Sequence, residues 1–175
     1  MHLVDLLVAG AVFGLIAAAT FSTLQVGLRA YTIGAARAES QQSGRIALER
    51  LANDIRIAGL GPQHPSFAAI ALAEPTHLVL HRDLDGDGAV TAVGETITWR
   101  LTGRTLRRDA GGGAQPIIDG VRSLVLEYLD AAGEPTAGAS DIRTVVITVV
   151  TEAESVLAGR EVTTTFSTRV RLRNR

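Results

Sequence analysis

The chain contains no cysteine, which excludes a disulfide framework, a thiolate zinc site and a cysteine nucleophile. The compartment stays open, because oxidising surroundings permit disulfides without requiring them. Lysine is missing too. The 17 positive residues are all arginine, and against 18 acidic residues they leave a net charge of −1. That balance gives no general electrostatic affinity for nucleic acid. The sequence also lacks G-x-S-x-G, a phosphate-binding glycine loop and H-E-x-x-H. Acid pairs exist, but nothing selects one as catalytic, so the chain is expected not to be an enzyme. His77 and His81 would lie about 13 Å apart along an extended strand, too far to share a metal. They are expected to be surface residues, and His2 and His64 have no partner visible in the sequence. What is abundant is apolar: 46% of 175 residues, enough for one folded domain and too much for a disordered chain.

The apolar residues are concentrated. Residues 6–28 carry no charge and read LLVAGAVFGLIAAATFSTLQVGL. As a helix this run spans about 35 Å, against roughly 30 Å of bilayer hydrocarbon. No Lys or Arg precedes it, as one would in a cleaved secretory signal, so a retained membrane helix is expected. Arg29, Arg37 and Arg45 follow it, which by the positive-inside rule puts that side in the cytoplasm, unless a basic leader has been removed. Asp5 interrupts the start. A carboxylate in a membrane helix costs about 2.5–3.5 kcal/mol on insertion scales, which asks for a partner. The alternative is a headgroup-level acid favoured by the positive end of the helix dipole. Gly10 and Gly14 form G-x-x-x-G, and Ala17, Ala18 and Ala19 extend the small surface. Such surfaces let helices approach closely, although Gly and Ala abound throughout the chain.

The pattern MHLVDLLVAGAVFGLIAAATF resembles the mature N-terminus of type IV pilins and pseudopilins, with Met1 in the place of the family's first apolar residue and Asp5 in the place of its acid. The resemblance implies a basic leader cut by a prepilin peptidase, methylation of the new amino terminus, and storage in the bacterial inner membrane. Assembly into a helical filament at the cell surface would follow. The family's acid is usually Glu, and many members carry a Pro where this chain has Ser22.

Residues 29–60 contain no proline, and Gly61-Pro62 supplies a stop. Leu48, Leu51, Ile55 and Ala58 form one apolar stripe, with Arg45, Glu49, Asn53 and Arg56 opposite. Arg50–Asp54 is an expected i,i+4 ion pair. Gly34 and Gly44 are candidate bends. From Phe67 onward strands are expected at residues 77–82, 96–101, 105–108, 123–129 and 142–150, the last suited to a central position. In a final strand Val162, Thr164, Phe166, Thr168, Val170 and Leu172 face one way, and Arg169, Arg171 and Arg173 the other. The fold class is therefore α+β: one long N-terminal helix, apolar in its first half and amphipathic in its second, packed on an antiparallel sheet. The division is a membrane or filament-core helix at 1–28, its amphipathic continuation at 29–60 and a β-rich head at 61–175. This order resembles the PilW-like minor pilins and the minor pseudopilins of type II secretion.

The strongest chemical motif is Asp83-Leu84-Asp85-Gly86-Asp87-Gly88. Acids at alternating positions with Gly sixth match the front half of a calcium-binding EF-hand loop. The twelfth position is Gly94, and Glu95 comes one residue late. The expected ligands are Asp83, Asp85, Asp87, the Ala89 carbonyl and Glu95; the alternative is an Asp-Gly hairpin loop. The basic stripe Arg169, Arg171 and Arg173 is either a solvated face or a contact for a neighbouring subunit's acidic loop. The leading functional expectation is a structural subunit of a type IV pilus or related filament, a homo-oligomer with other pilins as partners. The alternatives are a minor pseudopilin of a type II secretion system and a non-polymerising, membrane-anchored extracytoplasmic domain that binds calcium or is an enzyme.

Overall fold

The computed structural model describes residues 2–62, 67–152 and 163–174. Among these residues one helix, α1 (His2–Ile57), is followed by eight strands: β1 (Ile70–Ala73), β2 (His77–His81), β3 (Thr96–Thr102), β4 (Thr105–Asp109), β5 (Gln115–Ile118), β6 (Val121–Leu129), β7 (Thr144–Glu152) and β8 (Thr163–Arg171). All the strand pairings are antiparallel. They make two meanders, β1-β2-β3-β4-β5 and β6-β7-β8, rather than a single sheet. The α+β expectation stands at that level.

The helix changes character along its length. Every residue from 2 to 32 is exposed, Ile33, Ala36, Ser40 and Ser43 are half-buried, and full burial begins at Gly44, beyond the expected start of the packed half at Arg29. From there Ala47, Leu51, Ala52, Ile55 and Ala58 face the core, while Arg45, Glu49, Asn53 and Arg56 face solvent. Leu48 packs at the margin of the core. Leu78, Leu80, Ile97, Trp99 and Leu106 come from the larger sheet, and Leu124, Leu126, Val145, Ile147, Val149 and Val170 from the smaller, in one continuous cluster. Each fully buried Leu, Ile or Val in it contributes about 1.5–3 kcal/mol.

Two expectations for the helix are corrected. Asp54 makes no pair with Arg50; it points inward, 4% exposed, and binds Arg108 and Trp99. The exposed i,i+4 pair is Arg45–Glu49. Gly44 lies inside a continuous helix where a Cβ would come within 2.5 Å of the Phe166 ring, so its smallness serves close approach to β8.

The chain leaves the helix through Gly59, at φ 77°, and the Gly59 amide donates to the His81 carbonyl at 2.8 Å. A Cβ there would run into the Asn174 carbonyl oxygen. Gly59→Ala therefore combines a left-handed backbone with a clash against main chain. It is expected to cost about 1–3 kcal/mol, read as a lower melting temperature of the fragment from Arg29 onward; an unchanged melting curve would refute this account of the helix end.

The expected central strand is β7, flanked by β6 and β8. In β8, Val170 is buried while Arg169 and Arg171 are exposed, with Thr164, Phe166 and Thr168 half-buried; Val162 lies outside the described residues. The short strands β1 and β5 were not expected. Each is four residues long, too short for alternation to register.

Candidate functional site

Two features stand apart from ordinary packing: the exposed half of the helix and the acidic loop between β2 and β3.

The helix is long and apolar enough to cross a membrane. Leu3, Phe13, Leu15 and Tyr31 are 72–75% exposed, and soluble monomers rarely leave a contiguous apolar surface of this extent uncovered. Asp5 sits in the first turn, and Met1 lies outside the described residues. A Cβ on Gly10 or Gly14 would meet nothing within 4 Å, so both positions are open to a second helix. Thr20 and Thr23 donate their hydroxyls to the Ile16 and Ala19 carbonyls at 2.8 and 2.9 Å, which satisfies them without water.

The acidic loop begins where the Asp83 amide donates to the Leu60 carbonyl at 2.7 Å, tying it to the end of α1. Asp83 is buried, 4% exposed; its Oδ1 accepts from the Gly86 amide at 2.6 Å and its Oδ2 from the Gly88 amide at 2.8 Å. Asp85 Oδ1 accepts from the Asp87 amide at 3.2 Å, and Asp87 Oδ1 from the Ala89 amide at 2.7 Å. One carboxylate oxygen from each of Asp83, Asp85 and Asp87 lies within 4.8 Å of the others. Glu95 is fully buried, and its two oxygens accept from the Leu84 and Ala92 amides at 3.0 and 2.7 Å. Of the expected ligands, the fold thus gathers the three aspartates, places Glu95 as the strap that closes the loop, and engages Ala89 through its amide.

These bonds set the titration of the loop. Burial pushes the Asp83 carboxyl up, but the Gly88 and Gly86 amides outweigh it and hold the group below its ordinary value. The Leu84 and Ala92 amides hold Glu95 down likewise. Groups lowered in the folded state stabilise it above the ordinary carboxylate range, and that contribution is lost as pH falls through the lowered values. Asp85 goes the other way. The Asp87 amide favours its charged form, but desolvation and the charges of Asp87 and Glu95 together raise it. The loop therefore holds a carboxylate whose ionisation its neighbours oppose, a charge that a cation would relieve.

Among the described residues no histidine joins the three aspartates. His77 lies 3.6 Å from Glu74. His77 and His81 are both half-buried rather than surface residues; His81 stands edge-on to Phe67 at 6.3 Å, and burial lowers its pKa. His64 lies outside the described residues.

Arg169, Arg171 and Arg173 line a cleft of about 510 Å³ together with Arg56 and Arg143. Sequence reasoning missed the last two, which come from the helix end and from the residue before β7. It also missed the Asp54–Arg108–Trp99 centre. Searches against protein-family models and against curated proteins return no match, so function rests on these arrangements.

Proposed function

We propose that this protein is a structural subunit of a type IV pilus-like filament, held in the inner membrane by the first half of α1 and assembled at the cell surface by packing that half against copies of itself and other pilins. The observation that carries the reading is a single helix whose first 31 described residues are exposed and largely apolar while its last turns are built into the head. Lipid covers such a surface before assembly and neighbouring helices cover it afterwards, with Gly10 and Gly14 at the close approaches. Processing and methylation by a prepilin peptidase, with Met1 as the mature amino terminus, belong to the same proposal. Electron microscopy of cells with and without the gene tests it. Filaments that disappear on deletion and label with antibody to the head support the reading, and identical filament populations refute it.

A second reading, compatible with the first, is favoured by the convergence of Asp83, Asp85 and Asp87: the loop takes up a calcium ion. With no bidentate acid at the twelfth position, the comparison is the weak extracellular class, with Kd around 10⁻⁴–10⁻³ M. Millimolar calcium is then expected to raise the melting temperature of the fragment from Arg29 onward, according to RT ln(1 + [L]/Kd), and magnesium to do so less. Asp85→Ala should abolish the difference and leave stability in chelator nearly unchanged or slightly higher. Identical melting curves with calcium and with chelator would reduce the loop to an Asp-Gly turn.

A further inference from the structure

We infer that the arginine cleft is the receptor for the acidic loop of a neighbouring copy, a lateral contact that rests on the filament reading and gives it a partner surface in the head. Arg56, Arg143, Arg169, Arg171 and Arg173 come from three places in the chain and line one cleft of about 510 Å³. Among the described residues no carboxylate pairs with any of them. Arg143 donates to the Ser140 and Ile142 carbonyls, and Arg56 in the last helical turn suits the negative end of the helix dipole. Neither arrangement supplies a carboxylate to a site of five guanidiniums.

Lipid headgroups are out of reach. Arg56 lies 28 residues beyond Leu28, about 42 Å along the helix from the end of the apolar run. The ligand must therefore sit at the level of the head. Asp83, Asp85 and Asp87 are the acids gathered closely enough to hold a common cation among the described residues, and Asp85 and Asp87 are exposed. The loop is tied to Leu60, four residues past Arg56, so both patches adjoin the same end of α1. The loop leaves the larger sheet and the cleft is lined by the edge strand of the smaller one. Guanidiniums bind carboxylates through paired, directional hydrogen bonds. Complementary patches at different places on one molecule make a head-to-tail contact, which propagates as an open assembly instead of closing as a two-fold dimer. A divalent cation in the loop would cancel two of its three charges and weaken this contact, so the two candidate counter-charges compete.

Cells expressing the full chain with Asp87→Cys and Arg171→Cys together provide the test, because the parent has no cysteine and supplies no background. Filaments are sheared, washed in chelator and treated with a short bis-maleimide. The expected result is a ladder of cross-linked multimers from the double variant and only monomer from either single variant. A second arm reverses charge: Arg169→Glu with Arg171→Glu should cut filament number at least tenfold, and adding Asp85→Arg with Asp87→Arg should restore most of it. Filaments of normal number that give no ladder, or charge reversals without effect, overturn this contact and leave the filament reading standing. An unmodified strain without filaments overturns both.

Discussion

Asp5→Ala is expected to leave the chain folded and membrane-inserted but to reduce filaments to a small fraction of the parent number. Asp5 is exposed in the first turn of α1, on the apolar half that the proposal places in lipid. A carboxylate costs about 2.5–3.5 kcal/mol at the centre of a membrane helix and less toward its end. The helix dipole returns about 0.3–1 kcal/mol at an exposed site, and burying the first turn among neighbouring helices makes a partner for Asp5 necessary. The proposed amino terminus precedes Asp5 by four residues in sequence; between staggered chains that amine and Asp5 can meet and neutralise each other in a dry environment. Removing the acid leaves a neighbour's amine unpaired in the bundle and removes the register signal. Asp5→Glu keeps the charge and should assemble. Filament counts by electron microscopy, with immunoblots of membrane fractions as the control for insertion, decide the matter. Normal length and number in Asp5→Ala cells would leave only the dipole role.

The parts of the molecule that follow a period were legible in the sequence. The uncharged run at 6–28 and the stripe Leu51, Ile55, Ala58 mark α1, and the β-branched segment at 142–150 marks β7 as a central strand, because burial imposes spacing on each. The limits of burial were not legible. Residues 29–43 have the composition of an amphipathic helix, yet the head touches them only lightly: Ser40 donates to the Thr151 hydroxyl at 3.0 Å, and full burial waits for Gly44, where the missing Cβ admits Phe166. The acidic loop was legible as a spacing of acids. That Glu95 would become its strap depended on the β3 register, which turns Glu95 inward with Ile97 and Trp99. Arg56 and Arg143 could not be joined to the β8 arginines, because only the tertiary fold brings a helix end and the start of β7 to that edge.

Asp54 shows how a local rule loses to packing, and it carries the largest expected effect on stability. On a surface helix, Arg50 and Asp54 would pair for about 0.3–0.5 kcal/mol. Instead Asp54 Oδ2 accepts from Trp99 Nε1 at 2.8 Å and from Arg108 Nε at 2.7 Å, and Oδ1 accepts from Arg108 Nη2 at 3.2 Å. The side chains of Arg108 and Asp54 are 15% and 6% exposed, and Trp99 is fully buried. One carboxylate thus fastens α1 to β3 and β4. Asp54→Ala strands a largely buried guanidinium and an indole N–H, so the expected loss approaches the buried-pair range of about 3–5 kcal/mol. For a fragment of this size that lowers the melting temperature by roughly 10 °C. Replacing both charges, with Asp54→Leu and Arg108→Met, should recover much of the loss because no charge is left buried, although the Trp99 N–H still costs about 1–3 kcal/mol. Glu49→Ala, which breaks a pair whose side chains are 78% and 65% exposed, should move the melting point little. If Asp54→Ala melts no lower than Glu49→Ala, the centre does not hold the helix to the sheet, and the apolar contacts of Leu51 and Ile55 must do so alone.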